Sequence, residues 1–178
     1  MPADMKETIA QAAKTLLLEK GAKKLTVKDI VDECRITRQA FYYHFEDIPA
    51  LFRWVIERDT ARNMLEARSL GDGEARLRFL LAMAVNALPF MKKGIGSSYR
   101  EELDQYLTEY VRQMFERICD EEGYYQNCTR AEVRLIVRYH SQAILGLLRS
   151  WTDADTENLD QIAHTVYQLV TNGIPPTK

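Results

Sequence analysis

The sequence predicts an all-α protein: three short N-terminal helices joined to a C-terminal helical bundle. Three observations carry this. Nearly every segment of the 178 residues places apolar side chains at helical period. No stretch alternates apolar and polar residues long enough to make a strand. The boundaries carry helix signals, with Thr26 and Thr129 each followed three residues later by an acidic side chain, and with Gly21 and Gly173 at expected stops.

The first helix is expected over Lys6 to Lys20, where Ile9, Ala12, Ala13, Leu16 and Leu17 form one apolar face before Gly21. Thr26 with Asp29 reads as a variant capping box opening a second, short helix, whose inward side is Ile30, Val31 and Cys34. After a tight connection at Arg35 and Ile36, Thr37 caps a third helix, Arg38 to Phe45. Asp47 opens a fourth, with Pro49 in its first turn, running through Leu51, Phe52, Val55 and Ile56 to Arg68.

The break from Ser69 to Gly73 separates this part from the remainder. Glu74 to Lys93 is apolar on most sides, which predicts a helix buried in the middle of a bundle. A second break spans Lys92 to Gly96. Ser98 to Glu122 follows as a long helix facing in through Leu103, Tyr106, Leu107, Tyr110, Val111, Met114 and Ile118. Thr129 and Glu132 box the start of a helix that runs to Trp151, with a stripe of Val133, Ile136, Val137, Ile144, Leu147, Leu148 and Trp151. The last helix opens at Thr156, carries Leu159, Ile162, Ala163, Val166, Leu169 and Val170, and stops at Gly173 and Pro175. The expected domains are residues 1–46, a connecting helix over 47–68, and 69–178.

Composition narrows the function classes. Net charge is −2, so no bulk attraction to nucleic acid is expected. Residues 1–45, however, carry eight Lys/Arg against six Asp/Glu, while the rest carries sixteen against twenty. Cys34, Cys119 and Cys128 include no CxxC pair, which argues against a disulfide framework and for a reducing interior. Cys119, Cys128 and His140 fit no zinc spacing, so neither metal nor other cofactor is expected. The apolar run Phe79 to Met91 is too short to span a bilayer and the N-terminus lacks a secretory apolar region, so the expected location is the cytoplasm. No Gly-rich phosphate loop, nucleophile elbow or recognisably spaced carboxylate pair points to an enzyme.

The stretch TRQAFYYHFEDIPALFRW poses the functional question. Phe41 and Phe45 share one side of the third helix, while Gln39, Tyr42 and Tyr43 cluster on the other. Two outward rings either fill a second core surface or meet a partner. A short helix, a tight turn and a second short helix over residues 26–45 form a helix-turn-helix, which lays its second helix in the major groove. Gln39, Tyr42 and Tyr43, flanked by Thr37, Arg38 and His44, supply hydrogen-bonding groups for phosphates and base edges and rings for thymine methyls. The alternative is a polar face that is merely solvated.

The stretch LTVKDIVDECRITRQAFYYHFEDIPAL resembles the DNA-binding segment of TetR-type transcriptional regulators. Their pattern reads roughly Thr-x-x-x-Ile-Ala, then Ala-Gly-Val-Ser, then a Leu/Phe-Tyr-x-His-Phe block, then Lys-x-x-Leu. The likeness covers residues 6 to about 56; the ending ILGLLRSWTDADTENLDQIA is similar to the branch that includes regulators of dihydroxyacetone kinase operons. The resemblance implies a repressor that binds a palindromic operator as a homodimer and answers to a small-molecule effector. It places Lys28, Thr37, Arg38, Gln39, Ala40, Tyr42, Tyr43 and His44 at DNA. Lys28, Thr37, Tyr42 and His44 would touch mostly phosphates, and Arg38, Gln39, Ala40 and Tyr43 would lie nearer base edges. Three positions depart from the pattern: Arg35 replaces the turn glycine, Cys34 the alanine before it, and Ile48 the lysine that opens the fourth helix. Glu46 and Asp47 beside Ile48 weaken the electrostatic case for tight DNA binding.

The same resemblance implies dimerisation through the last two helices. The residues support it independently: Ala143, Gly146 and Ser150 permit close backbone approach, and Leu147, Ile162, Val166 and Leu169 supply apolar surface. Alternatively these faces pack only within one subunit. Candidate walls of an effector pocket are Met83, Asn86, Phe90, Tyr99, Tyr106, Tyr110, Met114 and His140, which mix apolar surface with a few polar handles. Each is also compatible with ordinary core. The rival function is an interaction protein of the same build that acts through another protein, with DNA contact weak or lost.

Overall fold

The computed structural model describes residues 4–22, 24–94 and 99–172, among which there are nine α-helices and no strand. Helix α1 (Met5–Lys14) continues into one π-helical turn, Thr15–Glu19, closed by the Lys20 N–H donating to the Thr15 carbonyl (3.0 Å). Gly21, at φ +65°, then ends it as expected. Helix α2 (Val27–Cys34) starts in the Thr26/Asp29 capping box: the Asp29 N–H donates to Thr26 Oγ1 (3.2 Å) and the Thr26 N–H to Asp29 Oδ2 (3.1 Å). Helices α3 (Arg38–His44), α4 (Ile48–Ala67), α5 (Gly73–Gly94), α6 (Arg100–Glu122), α7 (Arg130–Arg149), α8 (Asp153–Glu157) and α9 (Leu159–Asn172) follow. The expected start of the sixth helix at Ser98, and the stop at Gly173 and Pro175, lie outside the described residues.

Packing divides the chain into two compact units, Met1–Leu65 with Asn86–Leu103, and Glu66–Val85 with Asp104–Lys178. The end of α5 and the start of α6 therefore belong to the first unit, whereas the sequence places them in its third segment.

The first unit is built around Ile9, Ala13, Leu17, Ile30, Phe41 and Phe52, all fully buried. Phe41 and Phe45 do point inward, and Phe90 stacks on Phe52 with ring centroids 4.9 Å apart. Burying each of these aromatic side chains is worth about 1.5–3 kcal/mol. Polar contacts tie α1 to α4 at the edge of this core. Lys14 pairs with Asp59 (2.9 Å), and Arg58 reaches both Glu7 (2.5 Å) and Asp59 (2.6 Å) while lying over the Trp54 ring (4.7 Å). Burial pushes the Asp59 carboxyl up, but hydrogen bonds and charge from Lys14 and Arg58 outweigh it and hold the group below its ordinary range.

In the second unit Leu81, Cys119, Val137, Leu145, Trp151 and Ala163 are buried. Tyr125 donates from its hydroxyl to the Val170 carbonyl (3.2 Å), and Arg78 pairs with Asp160 (3.0 Å). Two expectations need correction. Helix α5 is not sealed on most sides: of its described residues only Leu81 and Phe90 are buried, and Asn86, Ala87 and Pro89 are exposed. The last helix does not open at Thr156. Thr152 and Asp155 form a third capping box that starts α8, the chain breaks at Asn158, and α9 begins at Leu159. The Thr156 hydroxyl instead accepts from Trp151 Nε1 (3.0 Å), which fixes the buried indole.

Candidate nucleic-acid interface

The turn between α2 and α3 aims the second helix of the pair. Helix α2 ends when Arg35 adopts the left-handed conformation, φ 55° and ψ 43°, and the Ile36 N–H donates back to the Val31 carbonyl (3.0 Å). A glycine takes this conformation freely, whereas a side chain there costs about 1–2 kcal/mol. The turn is kept regardless, because Ile30 and Val31 before it and Phe41 after it are buried in one core. Thr37 then caps α3, accepting the Ala40 N–H on Oγ1 (3.1 Å). At the other end Phe45 turns extended and Asp47 accepts the Ala50 N–H on Oδ1 (2.6 Å), opening α4.

With Phe41 and Phe45 buried, the opposite face of α3 stands in solvent. Tyr43 is 84% exposed and Tyr42 56%. Arg38, Gln39 and Thr37 are also exposed, Ala40 and His44 are half-buried, and Lys28 stands exposed on the first turn of α2. The rings hold each other: Tyr42 sits edge-on to Phe41 (5.5 Å) and Tyr43 edge-on to His44 (5.0 Å). Such pairing keeps two large side chains ordered with little burial. The surface thus offers a guanidinium, an amide, two phenols and an ammonium on one helix pair.

The corner from α3 into α4 differs from the sequence pattern's usual form. Ile48 is only 5% exposed and belongs to the core with Leu51 and Phe52, so its side chain points inward. Residues 45–50 include two carboxylates, Glu46 and Asp47, and no cation. An ammonium arrives from elsewhere. Lys6 of α1 lies with Nζ 5.6 Å from the Phe45 ring centroid and 5.9 Å from that of Trp54. No periodicity or motif singles out Lys6 in the sequence, because its position depends on how α1 crosses α4.

The candidate effector residues do not gather in one unit. Asn86, Phe90 and Tyr99 belong to the first, where Phe90 is core, Tyr99 packs partly against that core and Asn86 is exposed. Met83, Tyr106, Tyr110, Met114 and His140 belong to the second, all half-buried. Tyr106 stacks on Tyr110 (5.8 Å), and His140 stacks on Phe115 (5.8 Å), with burial pushing the imidazole below its usual range. An open cleft of about 480 Å³ lies instead in the first unit, lined by Glu7, Thr8, Gln11, Thr15, Glu33 and Cys34 among others.

Of the candidate dimer residues, Ala143, Gly146, Ser150 and Leu169 are exposed, and Leu147, Ile162 and Val166 are half-buried. Ala143, Gly146 and Ser150 continue a strip on α7 that begins at Leu135 (56% exposed) and Tyr139 (63% exposed). The spacing of three and four residues keeps all five on one side. Apart from the neighbouring backbone of its own helix, a Cβ on Gly146 would meet nothing within 4 Å in this chain. Among the described residues no helix is long and apolar enough to cross a membrane, and no cluster of three His, Cys, Asp or Glu side chains could hold a metal.

The sequence model described as bacterial regulatory proteins, tetR family, matches residues 9–55, which include the helix-turn-helix. A second, described as transcriptional regulator C-terminal region, matches residues 76–172, more than half of the chain. No curated protein matches by sequence. Among solved structures, the dihydroxyacetone kinase operon activator DhaS aligns with TM-score 0.62 and 21% identity over 93% of each chain. The fatty acid degradation regulator FadR from Bacillus halodurans aligns at 0.61 and 18%, covering 99% of this chain and 100% of the other. FadR from Bacillus subtilis, solved with stearoyl-CoA, aligns at 0.56 and 14%, covering 94% and 98%. At these identities the likeness is one of fold.

Proposed function

The chain belongs to the TetR family of bacterial regulatory proteins and is a DNA-binding transcriptional regulator, and from that premise we propose a homodimeric, ligand-responsive repressor that binds a palindromic operator. The observation that carries the reading is the 84% exposed Tyr43, beside Tyr42, across the helix from the buried Phe41 and Phe45. Core packing gives no reason for two rings to stand there. A major-groove partner does, since phenols and the neighbouring Arg38 and Gln39 reach base edges while Lys28 and Thr37 reach phosphates.

Two such helices on one operator require a two-fold pair of subunits. The exposed strip on α7, with Leu169 of α9, is the surface proposed to close against its copy. In functional terms residues 1–46 form the DNA-reading head, 47–68 the connecting helix, and 69–178 the part that dimerises and takes the effector. The effector is proposed to be an apolar or aromatic small molecule held around Tyr106, Tyr110, Met114, His140 and Met83. The structure of Bacillus subtilis FadR with stearoyl-CoA supports an apolar class. Such a ligand changes operator affinity only by its differential affinity for the DNA-competent and DNA-incompetent states.

One observation favours a second reading, in which the protein acts through another protein. Glu46 is exposed beside α3, and Ile48 contributes no charge there. A gel shift against the promoter beside its own gene, run at several salt concentrations, separates the two. The DNA reading expects a shift that weakens steeply with salt and with Tyr43→Ala. No shift at low salt would leave the interaction-protein reading.

A further inference from the structure

We infer that Lys6 is a DNA-phosphate contact, supplying from α1 the cation that the corner between α3 and α4 lacks; the inference rests on the DNA-binding reading above. A recognition helix in the major groove lies between two phosphate-bearing walls, and phosphate contacts from the helix and from elements beside it fix its register. Arg38 stands exposed in the first turn of α3, and Lys28 stands exposed in the first turn of α2. At the finish of α3 stand the half-buried His44 and the carboxylates Glu46 and Asp47, no Lys or Arg lies between residues 44 and 50, and Ile48 is turned into the core. Lys6 brings its ammonium to this place.

The ammonium is positioned but not neutralised. Its Nζ lies over the rings of Phe45, the residue that ends α3, and Trp54, the second turn of α4. Ring faces attract a cation without consuming its hydrogen-bond donors. Among the described residues Lys6 makes no ion pair. Of the carboxylates on α1 and α4, Glu7 is paired with Arg58, and Asp59 with Arg58 and Lys14. The half-buried stem fixes where the charge sits, and three N–H donors remain for a phosphate oxygen.

A phosphate contact carries no sequence information, so a fluorescein-labelled duplex of random sequence suffices as the probe. Binding is followed by anisotropy over a salt series for wild type, Lys6→Met and Lys6→Arg. Lys6→Met keeps an apolar stem on the rings without the charge. It is expected to fold, to bind several-fold more weakly, and to show a salt slope shallower by about 0.9 per lost contact. Lys6→Arg is expected to bind as wild type does. A folded Lys6→Met with wild-type affinity and slope would overturn the inference, leaving the ammonium as a staple between helices. Should Lys6→Met melt early, NMR of the lysine ammonium groups in the wild-type protein reads the same point. The Lys6 signal is expected to shift when duplex is added, and an unshifted signal overturns the inference. If the wild type itself shows no salt-dependent binding, the DNA reading has failed, not the assignment of this residue alone.

Discussion

Gly146 separates subunit stability from the stability of the proposed dimer, because replacing it is expected to push the two in opposite directions. The residue lies inside α7, exposed, and apart from the neighbouring helix backbone an added Cβ meets no atom of its own chain within 4 Å. Within one subunit, Gly146→Ala or Gly146→Leu removes the helix penalty of glycine and stabilises by about 0.5–1 kcal/mol. For a chain of this size that raises the melting temperature by roughly 2–4 °C per kcal/mol. Across a two-fold interface the effect reverses. Three further carbons on leucine overpack a close helix crossing by about 1–3 kcal/mol, and symmetry applies the change twice. The sum, about 2–6 kcal/mol, weakens dimerisation by roughly thirtyfold to twenty-thousandfold, at 1.4 kcal/mol per decade. Sedimentation equilibrium over a concentration series measures this directly, with Gly146→Ala as the control that gains propensity with little bulk. A Gly146→Leu protein that dimerises as tightly as wild type would refute the proposed face. Lowered stability of both variants as monomers would show that Gly146 meets its own subunit instead.

Three further outcomes follow from the first unit. Tyr43→Ala leaves the fold intact and removes about 1–3 kcal/mol of operator affinity at the base pair it contacts, whereas Phe41→Ala costs about 3–5 kcal/mol of stability; urea denaturation beside anisotropy separates the two, and early unfolding of Tyr43→Ala would make that ring core. Ile48→Lys buries an ammonium stem where an isoleucine fills the core, and lowers stability by about 2 kcal/mol; an unchanged denaturation midpoint would mean that the side chain swings out to solvent. Asp59 has a folded pKa below its unfolded value, so its pairing stabilises fully above the ordinary carboxylate range and is lost as pH falls below about 4. Thermal melts down to pH 3 should therefore show a smaller acid loss in Asp59→Asn, which starts less stable, and an identical loss would remove the role assigned to the pair.

Local signals were the legible part of this fold. Thr26 with Asp29 and Thr129 with Glu132 form the capping boxes their spacing announces, and Gly21 ends the first helix, because each depends on neighbours within a few residues. Thr152 with Asp155 carried the same signal, obscured by the stronger apolar period that starts at Leu159. Arg35 shows the opposite case: its left-handed turn comes from burial on either side, which overrides the residue's own preference. The outward tyrosines of the candidate site were legible as period, since exposure on α3 follows from the inward phenylalanines. Lys6 and the inward turn of Ile48 were not, because both depend on how α1 and α4 cross. Phe90 likewise reads as a pocket wall in sequence and stacks on Phe52 in space.

A two-fold dimer that reads DNA through the exposed face of α3 would reveal itself when the protein is left to choose its DNA. Wild-type protein and Tyr43→Ala are each equilibrated with a random duplex pool, and the retained fragments are sequenced. Wild type is expected to enrich an inverted repeat, and Tyr43→Ala to relax the same position in both half-sites. Enrichment of no sequence, or of one that is asymmetric and unchanged by Tyr43→Ala, would contradict such a dimer.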